Sequence, residues 1–417
     1  MIKKIFLSLS LLVGTTAIAQ QGTASPYSFY GVGDINSNNT NEYKAMGGMS
    51  VYSDSIHINL NNPASYSKLK LTTFSIGTTF KNYTLKSSDA TEKANRASID
   101  YLALGLPLGK FGVSFGLLPY SATGYKINSL KEVNGQKHST QFNGDGGINK
   151  VFAGVAYSIL PNLQFGIDMG YNFGQIDNKT TVFVIDNGDD YFIPNGTSEV
   201  KSSEYSGVTI NTGLQYSGKL KNYDWSASLT YSPETKLNTN NRTVLSIINY
   251  NNTVLERKTT EENTIKTINP SSLSAGLGIG KEHKWFVGAE FTQTQTNKLN
   301  QNNVFKNANY EDSQRYSIGG FYIPKYNSFT SYFDRIVYRG GFRYENTGLI
   351  LNDQAINDYA FSLGAGFPIG RNLTNLNIGV EYGQKGTNKN NLIKENYFNL
   401  SVGVSLNDLW FVKRKFE

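Results

Sequence analysis

The chain contains no cysteine in 417 residues, only 10 prolines and only three histidines. Without cysteine there is no disulfide framework, no thiol catalysis and no lipid attached through an N-terminal Cys. After the first 19 residues no apolar run approaches the roughly 18 residues that a bilayer-crossing helix needs. Any part of the chain that spans a membrane must therefore do so as a closed barrel, which pairs every backbone group without water. No basic stripe interleaved with stacking aromatics occurs either, so no nucleic-acid face is expected.

What is abundant is aromatic residues and glycine: 27 Tyr, 24 Phe and 41 Gly. Aromatic and β-branched residues favour strands, and Gly with Asn favours turns. Hydrophobic residues make up 39%, as expected where only alternate strand residues face lipid. The N-terminus runs Lys3-Lys4, an apolar core Ile5 to Val13, then Ala17-Ile18-Ala19. This pattern predicts a secretory signal peptide over residues 1–19, and the apolar core is too short for a membrane anchor. The net charge of +7 falls to +5 once Lys3 and Lys4 leave with it.

Strict alternation marks strands. Phe398, Leu400, Val402, Val404 and Leu406 share one face, and Asn399, Ser401, Gly403 and Ser405 the other. Trp225 to Tyr231 and Leu273 to Ile279 read the same way. Fourteen such runs are predicted, near 71–83, 97–107, 111–120, 148–159, 163–175, 204–217, 223–232, 271–280, 284–295, 313–323, 335–345, 357–368, 374–385 and 396–406. Short turns such as Leu108-Gly109-Lys110 and Leu160-Pro161-Asn162 alternate with longer polar loops, the longest being Pro233 to Pro270. Pro324 to Asp334, at eleven residues, is the imperfect short turn. The alternation predicts an all-β transmembrane antiparallel barrel of about 14 strands over 71–406. The even strand count puts both termini in the periplasm of a bacterial cell, with outer-membrane lipid and lipopolysaccharide as surroundings. Residues 20–70 precede the barrel without a long alternating run and are read as a segment folded into the lumen, and 407–417 as a periplasmic C-terminal tail.

Signals of catalysis are weak. Gly112-Val113-Ser114-Phe115-Gly116 fits the nucleophile pattern, but it lies inside an alternating strand with no helix after it. His57, His138 and His283 are dispersed over the luminal segment, a long loop and a short turn. Asp186-Asn187-Gly188-Asp189-Asp190 clusters oxygen ligands without the spacing of a calcium loop. Gly364-Ala365-Gly366 and Gly276 to Lys281 fall in strands, not before a helix as a phosphate loop requires. No catalytic residue, metal site or cofactor is expected.

Several motifs in order resemble the FadL-like outer-membrane transport proteins. They are Ala45-Met46-Gly47-Gly48-Met49, then Asp54 and Asn62-Pro63-Ala64, followed by Ala153 to Tyr157, Tyr231-Ser232-Pro233-Glu234, Trp285 to Glu290 and Tyr338 to Tyr344. The resemblance implies a fourteen-stranded barrel with an N-terminal luminal hatch, to which Gly47, Gly48, Asn62, Pro63 and Ala64 would belong. It also implies diffusion of a hydrophobic small-molecule ligand, such as a long-chain fatty acid, across the outer membrane. The alternative is a non-transporting relative that acts as a partner or plug of a type IX protein-secretion translocon. Two departures from the family pattern stand out: no aromatic residue ends the chain, and the predicted external loops are mostly polar.

Overall fold

The structure, a computed structural model, describes residues 22–185, 195–302, 307–369 and 374–410. The signal peptide, the Asp186 to Asp190 cluster and tail residues 411–417 lie outside the described residues.

In chain order the strands are β1 (Asp34–Ile35), β2 (Thr72–Lys86), β3 (Thr91–Leu108), β4 (Phe111–Val133), β5 (Gln136–Leu160) and β6 (Leu163–Ile185). They continue with β7 (Asn195–Leu220), β8 (Tyr223–Ser232), β9 (Thr235–Asn249), β10 (Val254–Asn269), β11 (Ser272–Lys281) and β12 (Trp285–Thr294). The last six are β13 (Ala308–Tyr310), β14 (Ser313–Tyr322), β15 (Val337–Leu351), β16 (Gln354–Ile369), β17 (Thr374–Lys385) and β18 (Lys394–Asp408). A single helical turn, α1 (Asn41–Lys44), lies in the N-terminal segment.

Among the described residues fourteen strands close the barrel: β2 to β8, β11, β12 and β14 to β18, each antiparallel to the next. The seam is β18 on β2, running from Lys394↔Lys86 to Asp408↔Thr72 without a register shift. The fourteen predicted runs are these strands. The alternating faces resolve as expected: Phe398, Leu400, Leu406, Leu273, Leu277 and Leu229 are exposed on the outer face. Their partners Ser401, Ser405 and Asn407 face the lumen and are buried. A barrel surrounded by lipid needs this apolar outer band.

The strands beyond the band are where the structure exceeds the sequence reading. The stretches taken as polar loops after the third and fifth strands largely continue as strand, so that β4 to β7 have 23, 25, 23 and 26 residues. The Pro233 to Pro270 loop is itself a hairpin, β9 with β10, and β9 pairs with the upper part of β7 from Asn195↔Asn249 to Ser206↔Asn238. β4, β5, β6, β7, β9 and β10 thus form one continuous sheet rising above the rest of the rim. β10 and the tips of β4 and β5 are exposed on both faces, so the period-two signal fades there, while β9 keeps one buried face at Leu237, Thr239 and Ile248.

Residues 22–71 fold inside the barrel. Ile58, Leu60, Tyr66 and Leu69 pack against the wall residues Tyr101, Ala103, Leu118, Phe152 and Ala156. Tyr43, Met46, Met49 and Val51 form a second cluster with Phe286. Each such side chain stabilises the docked segment by about 1.5–3 kcal/mol.

Candidate functional site

The luminal segment is seated by backbone contacts that only small residues allow. The 3-10 turn Pro63–Lys68 starts at Asn62, whose side chain accepts from Ala64 N (3.1 Å) and donates to Gln215 Oε1 (2.8 Å). Gln215 Nε2 in turn donates to Val51 O (2.9 Å). Pro63 and Ala64 lie against Gly166 of β6, where a Cβ would come 2.4 Å from Pro63 C. Gly47 and Gly48 both have left-handed φ, +70° and +77°, which favours glycine. Gly47 N donates to Ser362 Oγ (3.0 Å), against the wall strands β14 and β15. Gly47, Asn62, Pro63 and Ala64 thus touch the wall, whereas Gly48 meets Asn39 and Tyr43 within the segment itself.

Ion pairs join the segment to the wall higher up. Lys385 of β17 holds Asp34 at 2.6 Å, and Lys44 of α1 holds Asp100 of β3 at 2.8 Å. Ser25 Oγ donates to Glu395 Oε2 (2.7 Å), and Ser50 donates through N and Oγ to Glu290 Oε2 (2.8 and 2.7 Å). On the wall itself Arg343 lies 3.5 Å from Glu345, 3.3 Å from Asp358 and 3.8 Å from Glu381. All of these groups except Ser25, Ser50 and Glu290 line a luminal cavity of about 260 Å³. Its charged walls were visible in the sequence as Arg343, Glu345, Asp358, Glu381, Lys385 and Glu395 on inward strand positions. Sequence reasoning missed them because it scored each strand by its apolar face.

The wall is not continuous around this cavity. β3 pairs with β4 only from Leu108↔Phe111 to Leu102↔Leu117. Above that level residues 91–101 of β3 pair with β2 alone. The β4 side of the break takes a different partner from inside: β1 pairs as Asp34↔Ala122 and Ile35↔Ser121, and Asn36 N donates to Tyr120 O (3.0 Å). The slit between β3 and β4 is about 36 Å long at 3.3 Å per residue. Two local features mark it. Pro119 of β4 cannot donate to a ladder, which suits a strand edge. A bulge in β3 at Asp100 turns that carboxylate inward to Lys44, since Gly77↔Tyr101 is followed by Thr78↔Ile99. Ile99, Leu102, Leu117 and Ile35 are exposed along the slit. The described N-terminal end lies beside it, where Lys81 Nζ donates to Gly22 O (3.0 Å) and Arg96 Nε to Thr23 O (3.2 Å).

Of the other residues weighed in the sequence, Ser114 is buried on the luminal side of β4, within a regular strand. His138 lies in β5, and His283 in the β11–β12 turn stacks on Tyr326 at 4.2 Å. His57 is buried, and its Nδ1 meets Asp54 Oδ2 at 2.6 Å. Burial alone would lower the His57 pKa, but the carboxylates of Asp54 and Glu42 outweigh it and raise it above 6.5. Burial would likewise raise Asp54, yet His57 and two backbone N–H groups hold it below 3.8. His57 thus stabilises the docked segment fully below pH 6.5, and this contribution drains away as pH rises through its raised value. The Asp54 share is present above pH 3.8 and is lost as pH falls through its lowered value. Limited proteolysis of residues 52–60 should accelerate from neutral to alkaline pH in the native chain, and H57Q should flatten that rise. An equal rise in H57Q would refute the assignment.

The lumen and its folded N-terminal segment define a plugged fourteen-stranded antiparallel barrel, and its fold is similar to that of FadL-type barrels. Among solved structures the chain is similar to the toluene transporter TodX of Pseudomonas putida, with 17% identity and a TM-score of 0.61, covering 90% of this chain and 99% of that one. It is similar also to the CymD monoaromatic hydrocarbon channel (12%, TM-score 0.58, 90% and 99% covered). A FadL homologue of Pseudomonas aeruginosa aligns with 10% identity and a TM-score of 0.56, over 88% and 97% of the two chains. Among curated proteins none matches. The chain belongs to the BamG family, whose family model matches residues 1–417.

Proposed function

We propose that this protein is an outer-membrane channel for small hydrophobic molecules bearing a polar head, which pass between the lumen and the membrane through the slit. The observation that carries this reading is the end of β3–β4 pairing at Leu102↔Leu117, at the level where the luminal cavity meets the wall. The rim of the slit is apolar at Ile35, Ile99, Leu102 and Leu117, and the cavity behind it is ionic. A purely hydrocarbon solute gains nothing from charged walls, because it strips water from them and offers no polar contact in return. An amphiphile matches both surfaces. Its tail lies along the slit and its head replaces the Gly22 carbonyl at Lys81. The solved relatives named for toluene and monoaromatic hydrocarbons support passage of hydrophobic solutes through this fold. A long-chain fatty acid is the amphiphile to test first.

The route needs no energy source: the solute diffuses, and the segment around Gly22 to Asn36 moves aside. The short turns face the periplasm in this reading, and the tall sheet faces outward. Cells lacking the gene should take up labelled long-chain fatty acid several-fold more slowly, with recovery on complementation. Unchanged uptake of both the fatty acid and toluene would sink the channel. Reduced toluene uptake alone would correct the solute class.

A further inference from the structure

Ile323 to Ile336, between β14 and β15, is the one long connection at the short-turn end of the barrel among the described residues. It is a built loop. Lys325 N donates to Asp334 O (2.8 Å), Ser328 Oγ donates to Asp334 Oδ2 (3.2 Å), and Ser331 N donates back to Ser328 Oγ (3.2 Å). These bonds bury Ser328 and turn the neighbouring rings outward. Phe329 is 102% exposed and Phe333 71%. A polar loop would meet water at no cost, whereas two free phenyl rings on an ordered frame expose apolar surface that a soluble environment penalises.

The loop continues the lipid-facing surface. Tyr322 and Tyr338 stand opposite each other in register on the outer face of β14 and β15, and both are exposed. Tyr338 OH donates to Phe333 O (3.3 Å), which sets Phe333 beside that outer face and not under the lumen. Tyr332 OH reaches Pro368 O (3.1 Å), at the end of the next strand but one in sequence, and the Arg335 guanidinium lies 5.2 Å over the Tyr332 ring. Aromatic rings flanked by cations are the pattern that sits at the headgroup level of a bilayer. Lys281, Lys284, Lys325 and Arg335 are exposed around the loop, against the carboxylates of Glu282 and Asp334, and Asp334 is engaged within the loop.

We propose that the loop Ile323 to Ile336 is a membrane anchor that inserts Phe329 and Phe333 into the phospholipid leaflet at the short-turn end of the barrel, with the surrounding lysines and Arg335 on lipid phosphates. The proposal rests on the membrane placement in the proposed function. Continuity with Tyr322 and Tyr338 and the local excess of positive charge favour phospholipid over a protein partner as occupant.

The absence of cysteine makes the test direct. The full chain carrying T330C is labelled with an environment-sensitive nitrobenzoxadiazole probe and placed in nanodiscs of phosphatidylcholine and phosphatidylglycerol containing doxyl-labelled lipid. L277C, on the outer face of β11, reports the lipid band, and E132C, at the tip of the β4–β5 hairpin, reports water. T330C should be quenched at least threefold more than E132C, and the F329S/F333S background should bring it down to the E132C level. Quenching of T330C no greater than E132C, with L277C strongly quenched, overturns the anchor and leaves the membrane barrel standing. Quenching unchanged by F329S/F333S also overturns it. Failure of L277C to quench overturns the membrane placement and the anchor with it.

Discussion

Replacing Gly112 by valine should release the Pro63–Lys68 turn from the wall while leaving the barrel closed. A Cβ at Gly112 would lie 1.9 Å from Tyr66 O and 2.2 Å from Tyr66 C, both backbone atoms that no side-chain rotation can move aside. Overpacking at a yielding site costs about 1–3 kcal/mol, and here the obstacle is rigid on both sides. The wall itself accepts a β-branched residue well, since Gly112 sits in a regular ladder between Pro107 and Ala156. The effect therefore falls on the segment. In a chain carrying S65C, where Ser65 is buried, maleimide labelling should rise by at least about tenfold in G112V, the ratio equivalent to 1.4 kcal/mol. Heat-modifiable gel mobility should persist, which separates release of the segment from unfolding of the barrel. Labelling of S65C at the wild-type rate would contradict the seat described for Tyr66.

The second large effect is expected at the upper end of the same segment. Lys385 and Asp34 are mostly buried, with 14% and 27% of their side chains exposed, and 2.6 Å apart. Burial raises the Asp34 pKa, but the Lys385 ammonium overrides it and holds the carboxyl below 3.8. K385M would strand the Asp34 carboxylate, and breaking a buried pair costs about 3–5 kcal/mol, less here because Asp34 keeps some water. D34L/K385M removes both charges and should recover most of the loss. Maleimide labelling of S25C measures this, because Ser25 is buried and bound to Glu395. The order expected is K385M fastest, the double variant intermediate, the parent slowest. A double variant as fast as K385M would show that the pair is not what holds β1 in place. In the parent, cleavage near Ser25 by an acid-active protease should accelerate as pH falls through the lowered value of Asp34, because the stabilisation is present above pH 3.8 and is lost as pH falls through that value.

The fourteen membrane-level strands were legible because each has one apolar face, and a one-residue slip would invert it. Thr374 to Lys385 falls where the alternation of Leu376, Ile378 and Val380 places it. The upper parts of β4 and β5 were not legible. Asn128, Ser129, Lys131 and Glu132 pair with polar residues across the ladder, and with water on both faces no periodicity survives. β10 was hidden for the same reason, since Glu256, Lys258, Glu261 and Glu262 read as a solvated loop, and without it β9 had no visible partner. At the site, the contacts of Gly47, Asn62 and Pro63 fall on residues that the sequence singles out, because glycine, proline and asparagine advertise special backbone conformations. The slit was not foreseen. Pro119 was visible, but a proline at the end of an alternating run reads equally as the end of a strand. The Asp100 bulge leaves no mark in the sequence at all, for it depends on which residue of β2 faces it.

The uneven height of the rim has a consequence for how solutes arrive. β4 to β7 continue about ten residues, some 30 Å, beyond strands such as β2 and β16, which turn back at Ser87 and Asn352. The mouth is therefore sheltered on one flank and open on the other. A diffusing molecule sees only part of the solid angle above the barrel, and bulky polymers approaching from the sheltered side are turned away before they reach the lumen. For the channel proposed above, capture would be directional, favouring small solutes that enter across the low strands.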